Sequence, residues 1–209
     1  AIARGIAKRT DFFVLDDPLA GLDFKLREQL VDDLRGLKSA TGASVLYVTS
    51  DVIEAMTLAD RMAVLSVGQI IETNQPELLY RTPRHAHTMA LVGFPPANFL
   101  HGTLEHRGDH YWCTTPLFAF PADIASPQAS RDVYVGLRPE RIHLSHRVGD
   151  VGDDEGPLHA SAKVILREDL GGEDIVYLDA QGVPLTMVDR DHHRGDDLNA
   201  DVTLSIIPH

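Results

Sequence analysis

Two adjacent carboxylates follow a short apolar segment near the start of the sequence. Asp16 and Asp17 come directly after residues 12–15 (FFVL), a continuous apolar run that predicts a strand buried on both faces. Ligands of open α/β sheets bind beyond the carboxyl ends of the strands. There, one carboxylate can anchor the Mg²⁺ of a nucleotide while its neighbour orients or deprotonates an attacking water. Asp-Asp-Pro is also an ordinary turn after a strand, so the tripeptide alone leaves both interpretations open.

The neighbouring segments predict the fold that would hold these carboxylates. A third carboxylate, Asp23, is a good N-cap for the helix indicated by the leucine spacing after it. Residues 44–49 predict a second buried strand, and residues 53–56 begin another helical pattern. The order strand, helix, strand, helix is typical of a parallel α/β sheet. Residues 61–73, with Gly68 at the turn, predict a hairpin that closes this sheet.

The sequence changes character at residue 95. Short segments of alternating apolar and polar residues follow, separated by Gly, Pro, Asp and His. This pattern indicates an all-β domain, and a small barrel accounts for it best. We therefore predict an α/β domain at residues 1–94 and a β barrel at residues 95–209.

The charge of the chain is concentrated in its second half. The formal net charge is -12; residues 95–209 contain 9 Lys and Arg against 19 Asp and Glu, whereas residues 1–94 contain 10 against 12. Such an acidic surface repels phosphate backbones, so we expect no nucleic acid partner. Because no apolar run approaches the roughly 20 residues that span a bilayer, we also expect no direct membrane insertion.

Four segments of the chain resemble motifs of one known family. Residues 12–27 (FFVLDDPLAGLDFKLR) resemble the Walker B region of the ATP-binding subunits of ABC transporters, in the importer branch that serves maltose and other sugars, polyols and glycerol phosphates. Residues 48–56 (VTSDVIEAM) resemble its switch segment, and residues 136–142 (GLRPERI) resemble the Arg-Pro-Glu motif of its appended C-terminal barrel. Residues 1–7 resemble the helix that follows the family's signature sequence.

The resemblance implies two domains. Residues 1–94 would be the C-terminal part of a parallel-sheet P-loop NTPase domain, and residues 95–209 an OB-like, TOBE-type regulatory barrel. We expect the Gly-rich phosphate-binding loop and the signature to lie upstream of Ala1, outside this sequence.

The resemblance also assigns roles to four side chains, with ATP and Mg²⁺ as cofactors. Asp16 would hold Mg²⁺ through water and so contribute to ATP binding, and Asp17 would be the base that orients the water. Asp23 would couple two ATP sites across a dimer, and Ser50 would stand at the γ-phosphate sensor.

Two of these residues depart from the family's pattern. The family has glutamate at the position of Asp17 and histidine at the position of Ser50. Aspartate sets its carboxylate back by one methylene, and a misplacement of about 1 Å can cost about a hundredfold in rate. Either hydrolysis is weakened here, or this branch of the family tolerates both changes.

Three functions follow from these observations. The first is an energy-coupling ATP-binding subunit of an importer for a sugar, polyol or glycerol-type solute. The second is a non-catalytic partner in a heterodimeric importer. The third is a regulatory barrel that binds a small molecule or a regulatory protein, with Arg138 and Arg141 as the candidate residues. The importer hypothesis implies membrane permease subunits, a second ATPase subunit in a homo- or heterodimer, and a cytoplasmic location at the inner face of the membrane.

Overall fold

The structure, a computed structural model, describes residues 11–124, 132–145, 158–190 and 199–206. The chain divides into two units, Ala1–Phe94 and Pro95–His209.

The first unit begins with the predicted order of strand, helix, strand, helix and hairpin, and two short helices that were not predicted follow. Its elements are β1 (Phe12–Asp16), α1 (Phe24–Thr41), β2 (Ser44–Val48), α2 (Val52–Leu58), β3 (Met62–Ser66), β4 (Gln69–Asn74), α3 (Pro76–Arg81) and α4 (Ala86–Leu91). β1 and β2 are parallel, in a register that pairs Phe12 with Ser44 and Asp16 with Val48. The predicted parallel pairing is therefore present, and it brings the carboxyl ends of both strands together.

The prediction that β1 and β2 are buried on both faces is wrong. Phe13 is buried, but Phe12 and Val14 are 58% and 62% exposed, and their neighbours Leu46 and Val48 on β2 are also exposed. Successive side chains of a strand point to opposite faces, and the described residues cover only one face of this pair. A continuous apolar run therefore predicted the strand correctly but not how many of its faces are covered.

β3 and β4 form the predicted hairpin, but as a sheet of their own. The strands end at the pair Ser66 and Gln69, and within the described residues neither strand pairs with β1 or β2. Val67 and Gly68 at the turn both have positive φ, +47° and +76°, as a type I′ turn requires. The expectation that the hairpin closes the parallel sheet is wrong in this structure, because a turn signal determines a local pairing and not the sheet that it joins.

A buried carboxylate ties β4 to the segment that precedes α4. Both oxygens of Glu72 accept from the backbone N–H of Arg84, at 3.1 and 3.2 Å. Burial raises the pKa of the Glu72 carboxyl, but the Thr88 hydroxyl, the backbone N–H groups of Arg84 and His85 and the charge of His85 lower it more. The net result is a pKa below the ordinary value, so the fold stabilises the ionised form.

We expect Glu72→Gln to destabilise the first unit at neutral pH. Removing a charged hydrogen-bond acceptor of this kind costs about 1–3 kcal/mol of unfolding free energy. Because the folded pKa of Glu72 is lowered, its contribution is full above the unfolded pKa of about 4.3 and disappears as the pH falls through the folded value. The difference between wild type and variant should therefore shrink in acid.

Urea unfolding followed by far-ultraviolet circular dichroism measures this effect, since the α-helices of the described residues all lie in the first unit. Glu77→Gln is the matched control, because Glu77 is an exposed carboxylate that pairs with Arg81 at 3.2 Å on the surface of α3. A Glu72 effect that is no larger than the control, or that is independent of pH, would contradict the prediction.

The second unit consists of antiparallel strands in two sheets. Its strands are β5 (Asn98–Arg107), β6 (His110–Thr114), β7 (Ala119–Ala122), β8 (Asp132–Leu137), β9 (Ile142–Ser145), β10 (Leu158–Asp169), β11 (Asp174–Ala180), β12 (Val183–Asp189) and β13 (Asp201–Ile206). One sheet has the strand order β7-β6-β5-β8, and the other has the order β12-β11-β10-β13-β9. The prediction of β structure after residue 95 is confirmed for the described part of this unit.

The two sheets share one hydrophobic core. Leu100 of β5 is buried with Ile142, Leu204 and other apolar residues of the five-stranded sheet. Asn98 of β5 joins the sheets by hydrogen bonds, since its Nδ2 donates to the Thr186 carbonyl at 2.8 Å and its Oδ1 accepts from the Thr186 N–H at 2.7 Å. The side chain of Asn98 thus continues the hydrogen bonding from β5 to β12.

A guanidinium group in the five-stranded sheet lies between two buried carboxylates. Asp174 and Asp189 are direct partners across β11 and β12, and both are buried. Nη1 of Arg167 on β10 donates to Asp174 at 2.7 Å and to Asp189 at 2.9 Å. Burial lowers the pKa of Arg167, but the hydrogen bonds and charges of both aspartates raise it more. The guanidinium therefore stays charged between them.

Candidate functional site

The two candidate carboxylates lie where β1 ends. Asp16 is the last residue of β1, and Asp17 follows in the left-handed region with φ +43°, a conformation that aspartate tolerates better than most residues. The Asp17 N–H donates to the Val48 carbonyl at 2.8 Å, which ties this residue to the end of β2. Both side chains are exposed, and the fully buried Leu19 anchors the turn that follows them.

Asp23 begins α1. Its Oδ1 accepts from the Leu26 N–H at 3.0 Å, and its carbonyl accepts from the Arg27 N–H at 3.0 Å. The N-cap predicted from the sequence is therefore present. This bond fixes the exposed Asp23 carboxylate at the start of the helix.

Ser50 lies at the same edge of the sheet, after the end of β2. The register pairs Asp16 with Val48, so Asp17 and the segment that contains Ser50 follow neighbouring strand ends. Ser50 is exposed, and Asp51 after it caps α2 by accepting from the N–H groups of Ile53 and Glu54 at 2.9 and 3.1 Å. The structure thus brings Asp16, Asp17 and Ser50 to one edge, with Asp23 at the beginning of the next helix.

A buried carboxylate behind Ser50 was missed by the sequence analysis. Glu54 of α2 is only 6% exposed, and its Oε2 accepts from the Tyr47 hydroxyl at 2.8 Å and from the Thr49 hydroxyl at 3.0 Å. Burial, followed by the hydrogen bond with Glu54 and the charges of Glu54, Asp17 and Asp51, raises the pKa of Tyr47 well above its usual value. Tyr47 therefore remains a donor at every physiological pH.

An arginine of α1 reaches the same group. Nη1 of Arg27 lies 3.2 Å from Oδ2 of Asp51, and its Nε lies 3.8 Å from Oε1 of Glu54. Sequence spacing offers one signal for this cluster, because Asp51 and Glu54 have the three-residue separation of a capping box. In a capping box, the Glu54 side chain would accept a hydrogen bond from the Asp51 N–H. Here that N–H instead donates to the Thr49 hydroxyl at 3.0 Å.

The carboxylates at the end of β1 fit a metal ion that is bound together with a nucleotide, and not one that is held by protein side chains alone. In the part of the chain that the structure describes, no group of three or more His, Cys, Asp or Glu side chains could hold a metal ion by itself. Mg²⁺ is usually bound by one or two carboxylates together with substrate phosphates and water. The exposed pair Asp16 and Asp17 therefore fits a magnesium ion that arrives with a nucleotide.

Two arginines of the second unit occupy different environments. Arg138 precedes the short 3₁₀ turn Pro139–Arg141 and is buried, whereas Arg141 is half-buried. Burial of Arg138 makes it part of the interior of the second unit, which leaves Arg141 as the more accessible of the two.

Residues 1–7, which resemble the helix after the signature sequence, lie outside the described residues.

Comparison with known proteins gives clear relatives. The sn-glycerol-3-phosphate import ATP-binding protein UgpC 1 of Rhizobium johnstonii is 34% identical over 187 residues, which cover 90% of this chain and 49% of the relative. The sulfoquinovosyl glycerol transport ATP-binding protein SmoE of Agrobacterium fabrum is 32% identical over 190 residues, covering 89% and 50%. The maltose/maltodextrin import ATP-binding protein MalK of Vibrio cholerae is 30% identical over 186 residues, covering 87% and 48%.

These relatives confirm the resemblance to ATP-binding subunits of ABC importers for sugars and glycerol phosphate. The chain spans about half the length of the curated relatives it matches.

No family model matches the sequence. Among solved structures, the cytoplasmic molybdate-binding protein ModG matches 53% of this chain and 89% of its own, at 14% identity and a TM-score of 0.41, a likeness too weak to carry an argument. None of the helices in the described residues has the length and apolar character to cross a membrane.

Proposed function

We propose that this chain is part of the ATP-binding, energy-coupling subunit of an ABC importer for a sugar, polyol or glycerol-type solute. The observation that carries the proposal is the parallel register of β1 and β2, which joins Asp16, Asp17 and the Ser50 segment at one sheet edge. Ligands of α/β sheets bind at such an edge. The three relatives described above are import or transport ATP-binding proteins, which supports the same function.

The proposed roles are those that the family resemblance implies, and the chemistry of each side chain is compatible with them. Asp16 would hold Mg²⁺ through water, and the ion would supply positive charge to the phosphates of ATP. Asp17 orients the attacking water and accepts its proton at a carboxylate oxygen. Ser50 donates a hydrogen bond toward the γ-phosphate, and Asp23 at the start of α1 couples two ATP sites across a dimer.

The proposal assigns a domain to each of the two units of this chain. Residues 1–94 are the C-terminal part of the nucleotide-binding domain, and residues 95–209 are an OB-like, TOBE-type regulatory barrel. The partners are membrane permease subunits and a second ATPase subunit, at the cytoplasmic face of the membrane.

Substitution of Asp17 in the full-length protein tests this function. We expect Asp17→Asn to lower the rate of Mg-ATP hydrolysis by about 10²–10⁴-fold, the usual contribution of a general base, while ATP binding persists. Asp11→Asn is the matched control, because Asp11 is an exposed carboxylate just before the opposite end of β1. Hydrolysis is measured by phosphate release and binding by calorimetric titration. A wild-type protein that binds no ATP, or equal effects of the two substitutions, would refute the proposal.

A further inference from the structure

The side chains behind Ser50 form a cluster that the proposed function leaves unused. It consists of Arg27, Tyr47, Thr49, Asp51 and Glu54, and we call it the Glu54 cluster. Its centre is a carboxylate that is only 6% exposed. A buried carboxylate is costly unless it is hydrogen-bonded and paired, so each of its contacts has a physical reason.

The Glu54 cluster holds the residues on both sides of Ser50. Before it, the Thr49 hydroxyl donates to Glu54 Oε2 at 3.0 Å and accepts from the Asp51 N–H at 3.0 Å. After it, Asp51 caps α2 through Oδ1 and is bound by Arg27 through Oδ2 at 3.2 Å. Ser50 is therefore fixed at its two neighbours, while its own side chain remains exposed at the edge beside Asp17.

Arg27 connects this segment to α1. It lies one helical turn after Asp23, whose carbonyl accepts from the Arg27 N–H at 3.0 Å. Its guanidinium lies near both carboxylates of the Glu54 cluster, 3.2 Å from Asp51 and 3.8 Å from Glu54, so its removal would leave two anions without this shared positive charge. Such an arrangement relaxes by moving the segment that carries Asp51, and Ser50 is the residue directly before it.

We propose that Arg27 and Glu54 are positioning residues that hold the Ser50 side chain at the sheet edge beside Asp17. This inference rests on the proposed ATPase function, since Ser50 acts there on the γ-phosphate. Neither residue touches the nucleotide in this account, so both act through Ser50. Their loss changes the rate of hydrolysis and leaves the affinity for ATP as it is, because the phosphates are bound by other parts of the subunit.

The test is a set of variants of the full-length protein in two backgrounds. Arg27→Met should lower kcat for Mg-ATP hydrolysis by about tenfold or more, as expected for a small misplacement of a reacting group, with KM changed by less than about twofold. In the Ser50→Ala background the same substitution should change kcat by less than about twofold, because residues acting through one group are not additive. Arg35→Met is the control, since Arg35 lies on the same helix and its exposed guanidinium contacts Asp32 and the Thr57 carbonyl, outside the Glu54 cluster.

The outcomes separate this inference from the proposed function. Full-length protein that does not hydrolyse ATP in its wild-type form refutes the proposed function, and the inference with it. If wild type is active and Arg27→Met acts equally in both backgrounds, or no more strongly than Arg35→Met, the inference alone is overturned. Should Arg27→Met fail to fold, Glu54→Gln takes its place, because it keeps the shape and an acceptor for Tyr47 and Thr49 while it removes the charge that Arg27 meets.

Discussion

Arg167→Met should lower the free energy of unfolding of the second unit by about 3–5 kcal/mol, the cost of breaking a buried ion pair from one side. Nη1 of Arg167 bridges Asp174 and Asp189, which face each other across β11 and β12. Both carboxylates are buried, so neither can turn to bulk water when the guanidinium is gone. Methionine fills a similar volume but removes the positive charge that both buried carboxylates meet.

Urea unfolding followed by the fluorescence of Trp112 measures this effect, because the single tryptophan of the chain lies in the second unit. The matched control is Arg190→Met, which removes a guanidinium from an exposed pair with Glu173 at 3.2 Å. Exposed pairs of this kind contribute about 0–1 kcal/mol. The prediction is wrong if both variants lose the same small amount of stability.

The order of elements could be predicted from the sequence because each depends on a local pattern. The FFVL run, the leucine spacing after Asp23 and the turn at Gly68 each determine the conformation of their own segment. The joining of segments into sheets depends on long-range packing, which such patterns do not report. For that reason the exposed face of Phe12 and the separate β3–β4 sheet were not predicted.

The same distinction between local patterns and long-range contacts applies to the candidate site. Asp16 and Asp17 could be predicted to lie at a sheet edge, because residues that directly follow a strand of a parallel sheet lie at the carboxyl edge of that sheet. The contacts of Glu54 could not, because they join residues of β2, α1 and α2, and the capping-box spacing of Asp51 and Glu54 predicts a different bond. Arg167 is a similar case, since its partners come from two other strands.

The largest gain in activity is expected from restoring the family's two residues at once. In the full-length protein, Asp17→Glu together with Ser50→His should raise the rate of ATP hydrolysis by about tenfold to a hundredfold, if the shorter side chains hold the base and the sensor about 1 Å too far away. Each substitution alone should do less, because both groups act on one phosphate in the transition state.

The backbone at Asp17 sets a limit on this gain. Asp17 has φ +43°, and glutamate in the left-handed region costs up to about 1–2 kcal/mol, whereas aspartate is better tolerated there. That cost falls on the stability of the turn, while a hundredfold change in rate corresponds to about 2.7 kcal/mol of the activation barrier. The rate should therefore rise even if the thermal midpoint of the double variant falls by a few degrees.

Phosphate release at saturating Mg-ATP measures the rate. The matched control is Asp11→Glu with Ser50→His, which adds the same methylene away from the edge. A double variant no faster than wild type would mean that Asp17 and Ser50 already form a competent pair, and that their departure from the family's pattern does not weaken hydrolysis.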